Sequence, residues 1–239
     1  MDRYKICGLE IFRFVFAPVK SNMYLILLDK EALIIDPHVS TEAYNFLKKY
    51  GVEKVTVIFT HEHPDHTFGI KPLKRLFPVI IICQKNCAES IADISNNRPI
   101  LISFILSKQD EMNGTNNLEI FNKVFEPFFC KTDISFDQEL YHEWHKYKLY
   151  LKATPGHSRG SCCIILDDKI IFTGDSLIFN TPVITRFPGG SIKDYNKITK
   201  PFLKSIDKDL IAFPGHGDIF KIKKGLKCGI LKNLKTILL

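Results

Sequence analysis

Short apolar runs separated by polar turns make up much of the chain, and their length and composition predict β-strands. Residues 55–60, Val-Thr-Val-Ile-Phe-Thr, are mostly β-branched or aromatic, which is typical of a short buried strand. Residues 11–16 alternate apolar and mixed positions and predict another strand. Seven further runs have similar character: 23–28, 32–35, 79–83, 149–153, 162–166, 169–173 and 211–213.

Apolar residues at helical spacing lie between several of these strands. The apolar positions within 43–50 fall at i, i+3, i+4 and i+7, Ser40 can cap the helix that they predict, and Gly51 ends it. Three other helices are predicted: one starting near Gly69, one over 86–93, and one over 194–203 with Tyr195, Ile198 and Phe202 on one side.

The stretch of about 94–147 has the least regular pattern. Two aromatic-rich segments, 99–106 and 118–129, flank a polar one, and the second has helical spacing. This spacing fits either an amphipathic helix packed on the core or an apolar lid beside a functional site, in which Phe125 and Phe128 would affect KM. Since no repeat, low-complexity segment or linker is present, we predict a single domain over 1–239 with an insertion of about 94–147 as a possible lid.

Residues 60–66, Thr-His-Glu-His-Pro-Asp-His, place three imidazoles and the carboxylate of Asp65 at the end of the strand predicted over 55–60. The His61-x-His63 pair on a tight loop can direct both rings at one ion, while Asp65 and His66 can turn towards a second ion. Imidazole and carboxylate together suit zinc, iron or manganese better than calcium or magnesium. The motif therefore predicts a metal site.

Three more ligand-type residues stand just past short apolar strands. His157 follows Pro-Gly, Asp175 follows Gly, and His216 lies between Pro-Gly and Gly. Glycine allows a sharp turn, so that each side chain can point back over the sheet edge. Each signal is weak alone, but together they extend the predicted metal site. The remaining histidines lack such partners and are predicted in loops or on the surface: His38, His142 and His145.

Four motifs occur in order between residues 23 and 217: Thr-His-Glu-His-Pro-Asp-His, Thr-Pro-Gly-His-Ser, Phe-Thr-Gly-Asp-Ser-Leu and Phe-Pro-Gly-His-Gly. This ordered set resembles the metallo-β-lactamase superfamily, and within it the glyoxalase II-like thioester hydrolases. The resemblance implies an α/β fold, a four-layer αββα sandwich with the site along one edge of its two sheets.

Carried over position by position, the resemblance implies a dinuclear zinc centre, with manganese or iron as alternatives. It assigns His61, His63 and His157 to the first ion, and Asp65, His66 and His216 to the second. Asp175 is expected to bind both ions. Two zinc ions lower the pKa of water from about 15.7 until hydroxide exists near neutral pH, and this hydroxide attacks the carbonyl of a small thioester or ester. Asp65 is expected to orient the attacking water too, and is the candidate catalytic residue.

Other activities stay open at this point. A mononuclear iron persulfide dioxygenase would use the equivalents of His61, His157 and Asp175, but the complete second ligand set favours two ions. A β-lactamase or lactonase would share the fold, and only the net charge of +7 suggests a nuclease. Nucleic acid is disfavoured because the basic residues are not interleaved with aromatic residues that could stack on bases.

The charge pattern favours an anionic small-molecule substrate, since the pI is near 8.9. Arg186 lies in a segment, 185–191, that looks like the arginine-containing loop of small glyoxalase II-like proteins and persulfide dioxygenases. It could bind a substrate carboxylate through two nitrogens, or form a surface ion pair. Arg159 is the weaker candidate. The lysines are densest near the C-terminus, which is typical of a solvated tail or helix face, and homo-oligomerisation stays open.

Seven scattered cysteines without a C-x-x-C pair are typical of free thiols in a reducing cytosol. The adjacent Cys162 and Cys163 would point to opposite faces of their strand. No stretch approaches the roughly 18 continuous apolar residues of a membrane span, and the N-terminus lacks a secretion signal pattern. We therefore predict a cytoplasmic protein without a membrane segment.

Overall fold

Thirteen strands form two β-sheets in residues 1–6, 8–96 and 99–222, the part of the chain that the computed structural model describes. The first sheet has its strands in chain order, β1 to β7: Asp2–Ile6, Leu9–Phe16, Ser21–Leu28, Glu31–Ile35, Lys54–Ile58, Val79–Gln84 and Ile134–Phe136. The second sheet has the order β13-β12-β11-β10-β9-β8, with bounds, from β8 to β13, Glu139–Trp144, Tyr147–Ala153, Cys162–Leu166, Ile170–Gly174, Ile211–Pro214 and Phe220–Lys221. All nine predicted strands are present.

Neighbouring side chains along the strands enter different hydrophobic cores. Tyr24 of β3 faces the second sheet, whereas Leu25 packs against the helices on the outer face of the first sheet. In β10, Cys162 lies between the sheets and Cys163 lies on the outer face, as predicted. The period of two thus gives each sheet two apolar faces, and each sheet needs a covering layer on its outer side.

Helices supply the two outer layers. Their bounds, from α1 to α8, are Thr41–Lys49, Pro64–Thr67, Ile70–Leu76, Lys85–Ile91, Ile100–Asn113, Asn117–Val124, Ile192–Asp194 and Lys200–Ser205, with a π-helical segment, Tyr195–Thr199, before α8. Helix α1 begins as predicted, since the Ser40 hydroxyl accepts a hydrogen bond from the Ala43 N–H at 3.1 Å. Helices α1 and α3 to α6 pack on the first sheet and α8 on the second, which confirms the four-layer αββα sandwich. In the described residues, each helix is too short or too polar to cross a lipid bilayer.

The segment of about 94–147 adds strands β7 and β8 to the two sheets as well as helices α5 and α6. Phe121 of α6 is fully buried in the core. The helix predicted through residue 129 ends at Val124, because Pro127 has no N–H to donate and restricts the residue before it to extended backbone. The predicted single domain also covers 223–239, which hold most of the C-terminal lysines and lie outside the described residues.

The helical region after residue 191 differs from its prediction. Tyr195 is fully buried as expected, but Ile198 is 40% exposed and Thr199 is buried instead. The π-helical segment adds about one residue to the turn, so the buried position after Tyr195 shifts from i+3 to i+4. Pro201, which cannot donate a backbone hydrogen bond, explains why regular α-helix does not continue through this point.

Candidate metal centre

All seven predicted ligand residues come together where strands β5, β9, β11 and β12 end. Each follows the carboxyl end of a buried strand, so the loops meet at one edge of the two sheets. The potential ligand atoms form overlapping groups, since His61 and His66 also group with Asp36. We name two of these groups the first cluster, His61, His63 and His157, and the second cluster, Asp65, His66 and His216. Within each cluster the potential ligand atoms lie within 4.8 Å of one another.

The first cluster consists of three imidazoles whose nitrogens converge. His157 Nε2 lies 2.9 Å from His63 Nδ1, and the His61 ring centroid is 4.7 Å from that of His63 and 5.0 Å from that of His157. The buried His61 Nε2 has no hydrogen-bond partner among the described residues. A buried nitrogen without a partner is unfavourable, and three imidazole nitrogens arranged in this way suit a cation better than one another.

The second cluster adds a carboxylate to two imidazoles. His66 Nε2 and His216 Nε2 are 3.2 Å apart, and each lies 3.3 Å from Asp65 Oδ2. Pro64 starts helix α2 and fixes its first turn, which presents Asp65 and His66 on one side of the loop. The set of two nitrogens and one oxygen is typical of zinc, iron or manganese ligation.

Asp175 connects the two clusters. Its Oδ2 lies 3.5 Å from His157 Nε2 and 3.5 Å from His216 Nε2, and its Oδ1 lies 3.7 Å from His66 Nε2. The buried Oδ1 has no hydrogen-bond partner within the described part of the chain. A carboxylate with one group of nitrogens on each side can contact two ions at once, and the residues present therefore fit a dinuclear centre.

The outward-facing nitrogens of three rings are fixed by hydrogen bonds. His157 Nδ1 donates to the Ile184 carbonyl at 2.9 Å, and His216 Nδ1 donates to the Lys20 carbonyl at 3.1 Å. His66 Nδ1 lies 3.1 Å from Asp36 Oδ2. Because each outer nitrogen is held by an acceptor, the inner nitrogen is the one directed at the centre, where it can bind a cation.

Asp36 is a functional residue that the sequence did not identify. It is buried at the end of β4, and its carboxylate accepts from the Thr60 N–H at 2.7 Å and the Thr60 hydroxyl at 2.5 Å as well as facing His66. Its oxygens are thus already occupied, and we assign it to orienting the histidine loop. The signal was the Asp-Pro pair after a buried strand, which also occurs at ordinary turns.

Glu62, inside the histidine motif, joins the two halves of the first cluster. Its carboxylate accepts from the Ser158 hydroxyl at 2.8 Å and from the Gly160 N–H at 3.3 Å. These bonds tie the loop that carries His63 to the loop that carries His157. Ser158 is held by this contact and by Ser161 at 2.9 Å, an arrangement unlike that of a serine nucleophile, which needs a histidine base.

Burial keeps the histidines of the first cluster neutral, and the neighbouring histidines keep the carboxylates charged. Burial lowers the pKa of His157 to about 4 and that of His61 well below its usual range, so both rings are neutral near pH 7. Burial opposes ionisation of Asp65 and Asp175, but the charge of the neighbouring histidines outweighs it and lowers both pKa values. The same carboxylates raise the pKa of His66 well above its usual value and also raise that of His216, so a divalent cation in the second cluster would take the place of protons.

Residues 17–216 match the sequence profile of the metallo-β-lactamase superfamily, which is most of the chain. The chain belongs to this superfamily. It is 22% identical over 214 residues to a probable metallo-hydrolase of Streptococcus pyogenes, covering 87% of this chain and 84% of that protein. It is 22% identical over 212 residues to human mitochondrial persulfide dioxygenase, covering 86% of this chain and 68% of that protein. It is 23% identical over 202 residues to a hydroxyacylglutathione hydrolase of Pelagibacter ubique, covering 83% of this chain and 67% of that protein.

Solved structures agree with the fold. A B3 metallo-β-lactamase superposes with a TM-score of 0.70 at 21% identity, covering 89% of this chain and 94% of that one. A protein crystallised in a di-iron-bound form superposes with a TM-score of 0.62 at 19% identity, covering 88% and 94%. The predicted superfamily and fold are thus confirmed, and membership in this superfamily of metallo-hydrolases implies an enzyme with a divalent metal centre.

The metal centre of this metallo-β-lactamase superfamily member opens into a cavity of about 880 Å³. Arg159 lines the cavity and forms no ion pair with any described residue. Arg186 is exposed and stands outside the lining that the described residues form. The predicted substrate contact of Arg186 therefore stays a prediction, and Arg159, the weaker candidate from sequence, is the arginine on the cavity wall.

Phe125 tests whether the segment after α6 belongs to the core or to a lid. It is half-buried and stacked on Phe121, with ring centroids 5.2 Å apart, and neither it nor Phe128 lines the cavity. We expect Phe125→Ala to lower the free energy of unfolding by about 1–2 kcal/mol, less than for a fully buried phenylalanine. Urea unfolding measures this, and Phe129→Ala, at a 67% exposed side chain, is the control. A changed KM at unchanged stability would instead support the lid.

Proposed function

We propose that the protein is a dinuclear metal hydrolase that cleaves a small thioester or ester. The observation that carries the proposal is the pair of clusters joined by Asp175, whose carboxylate lies within 3.7 Å of histidines from both. The proposed metal, from the nitrogen-rich donor set, is zinc, with manganese and iron as alternatives.

When bound, two such ions would lower the pKa of a water and polarise the substrate carbonyl. Asp65, ionised and buried beside both second-cluster histidines, is placed to accept a hydrogen bond from that water and orient it. Asp36 holds the His66 ring, and Glu62 holds the His157 loop, so the reacting groups are positioned before the substrate arrives.

The thioester class is supported by the hydroxyacylglutathione hydrolases among the relatives and by the charge of the chain. Arg159 on the cavity wall offers a cation to an anionic thiol portion of the substrate. A cytoplasmic location is proposed because the five cysteines of the described residues are free thiols: Cys83, Cys87, Cys130, Cys162 and Cys163.

Metal content and activity measured on the same sample test the proposal. Protein purified without a histidine tag is expected to contain about two zinc ions per chain by mass spectrometry, and to hydrolyse small thioesters. A chelator should abolish turnover and added zinc should restore it, while circular dichroism follows the fold throughout.

A second candidate, an iron persulfide dioxygenase, has support from the human relative. It predicts about one iron per chain, bound by His61, His157 and Asp175, and oxygen consumption with a glutathione persulfide. That result, without thioester turnover, would overturn the hydrolase proposal in favour of this one.

A further inference from the structure

Helix α5 forms an apolar wall of the cavity that holds the metal clusters. Leu101, Ile102 and Ile105 line this cavity, together with Gln109. Positions i, i+1, i+4 and i+8 share one face of a helix, so the four side chains form a continuous strip. Leu106, the next residue after Ile105, is fully buried in the core and anchors the helix from its other side.

A second apolar wall lines the same cavity. It is formed by the segment after β11, from which four large apolar side chains line the same cavity: Ile178, Val183, Ile184 and Phe187. The Ile184 carbonyl accepts the hydrogen bond from His157 Nδ1, and the Phe187 ring lies 5.8 Å from that of His63, so this wall begins at the metal clusters. This cavity, which we call the channel, is thus lined by residues of the metal clusters and by apolar side chains of both α5 and the 178–187 segment, together with polar side chains that include Asn86, Glu89 and Arg159.

The channel is larger than the reacting bond requires. A volume of about 880 Å³ is near the upper end of the roughly 300–1,000 Å³ range of small-molecule sites. Apolar walls stabilise a ligand only where they replace water around apolar surface. A substrate whose acyl group is as small as acetyl would leave both walls in contact with water.

We propose that the acyl group of the substrate is an extended apolar chain, which lies between α5 and the 178–187 segment with its carbonyl at the metal clusters. The inference rests on the proposed function and adds the substrate class to it. In the reaction, the oxygen of a water forms a bond to the thioester carbonyl carbon and the C–S bond breaks. One proton of the water goes to the thiol and the other to solvent, so the products are the carboxylate, the thiol and a proton.

A chain-length series tests the proposal. The substrates are thioesters of one thiol, N-acetylcysteamine, with acetyl, butanoyl, hexanoyl and octanoyl groups. Full burial of one methylene should raise kcat/KM about fourfold. Each added pair of methylenes should therefore raise kcat/KM by about fifteenfold until the channel is filled. A flat series in an active enzyme would overturn the chain proposal and leave the hydrolase proposal standing.

Two variants of α5 localise the effect. Ile105→Asn places a polar group on the cavity face. It should reduce the increase in kcat/KM per methylene pair to less than about threefold and should change kcat/KM for the acetyl substrate little. Phe104→Asn is the matched control, because Phe104 is the neighbouring residue but is 57% exposed and lies outside the lining of the cavity. Phe104→Asn should keep the wild-type dependence of kcat/KM on acyl chain length. An equal loss of this dependence in both variants would contradict the assignment to this wall.

Binding of the product distinguishes failure of the channel from failure of the proposed reaction. Calorimetry of the purified protein with octanoate and butanoate needs no turnover. Octanoate should bind at least about tenfold more tightly, and Ile105→Asn should remove the difference. If no thioester is hydrolysed but this preference is present, the hydrolase proposal fails and the apolar channel stands. Equal affinity for the two carboxylates would overturn the channel.

Discussion

Replacing His61 by alanine is expected to lower kcat/KM for the proposed reaction on the order of a thousandfold, because it removes one of three nitrogens from the first cluster. His61 Nε2 is buried and has no hydrogen-bond partner among the described residues, and its ring lies 4.3 Å from that of His66, between the two clusters. The metal content should fall from about two ions per chain to about one. Kinetics and mass spectrometry on the same preparation measure both values.

His142→Ala is the control for the loss of a histidine. His142 lies in β8, paired with Leu149, away from either cluster, and its replacement should leave both metal content and rate unchanged. Circular dichroism should show that His61→Ala keeps the fold, since the hydrophobic cores do not depend on this ring. Unchanged turnover in a folded His61→Ala protein would exclude the first cluster from the reaction.

The strands and the ligand-type residues could be predicted because each leaves a local signal. Alternating or continuous apolar runs identify strands without knowledge of their partners. His157 and His216 could be selected because each follows a Pro-Gly turn at the end of such a run. Their distances could not be predicted, since they depend on the pairing of strands that are far apart in sequence, such as β11 and β12, in which Gly174 pairs with Pro214.

Asp36 shows what local signals leave out. The parallel register of β4 and β5, with Ile35 opposite Ile58, brings Asp36 within hydrogen-bond distance of Thr60 just past the ends of the two strands. An Asp-Pro pair is common turn chemistry, so its role in orienting His66 follows only from this register. Supporting residues of a metal centre are generally selected by their position in space rather than by residue type.

Helix α5 illustrates a second limit of prediction from the sequence. Its apolar residues face three directions, with Leu106 in the core, Ile105 on the cavity and Phe104 exposed. A helix that is apolar on all sides gives no periodic signal to separate core from cavity. The alternatives that the sequence left open for 118–129 were a core helix and an apolar lid; Phe121 lies in the core, and the lid stays a prediction.

Gly215→Ala is expected to lower kcat/KM by about a hundredfold and to weaken metal binding, because a methyl group there displaces the carboxylate that joins the clusters. A Cβ at position 215 would overlap Asp175 Oδ1 and would lie 2.9 Å from His66 Cε1. The Gly215 N–H donates to the Gly174 carbonyl at 2.9 Å, so the backbone on both sides of the contact is fixed and Asp175 has to move. Metal titration against a chelator and steady-state kinetics measure the two effects.

Gly217→Ala separates this displacement from backbone strain. Gly217 lies in the same loop with a φ of +76°, where alanine costs about 1–2 kcal/mol, but a Cβ there has only Ile178 Cγ2 near it, at 3.7 Å. Gly217→Ala should therefore have a lower free energy of unfolding but keep its metal, whereas Gly215→Ala should bind metal more weakly. If both variants have a lower free energy of unfolding but bind metal as the wild type does, Asp175 does not join two ions.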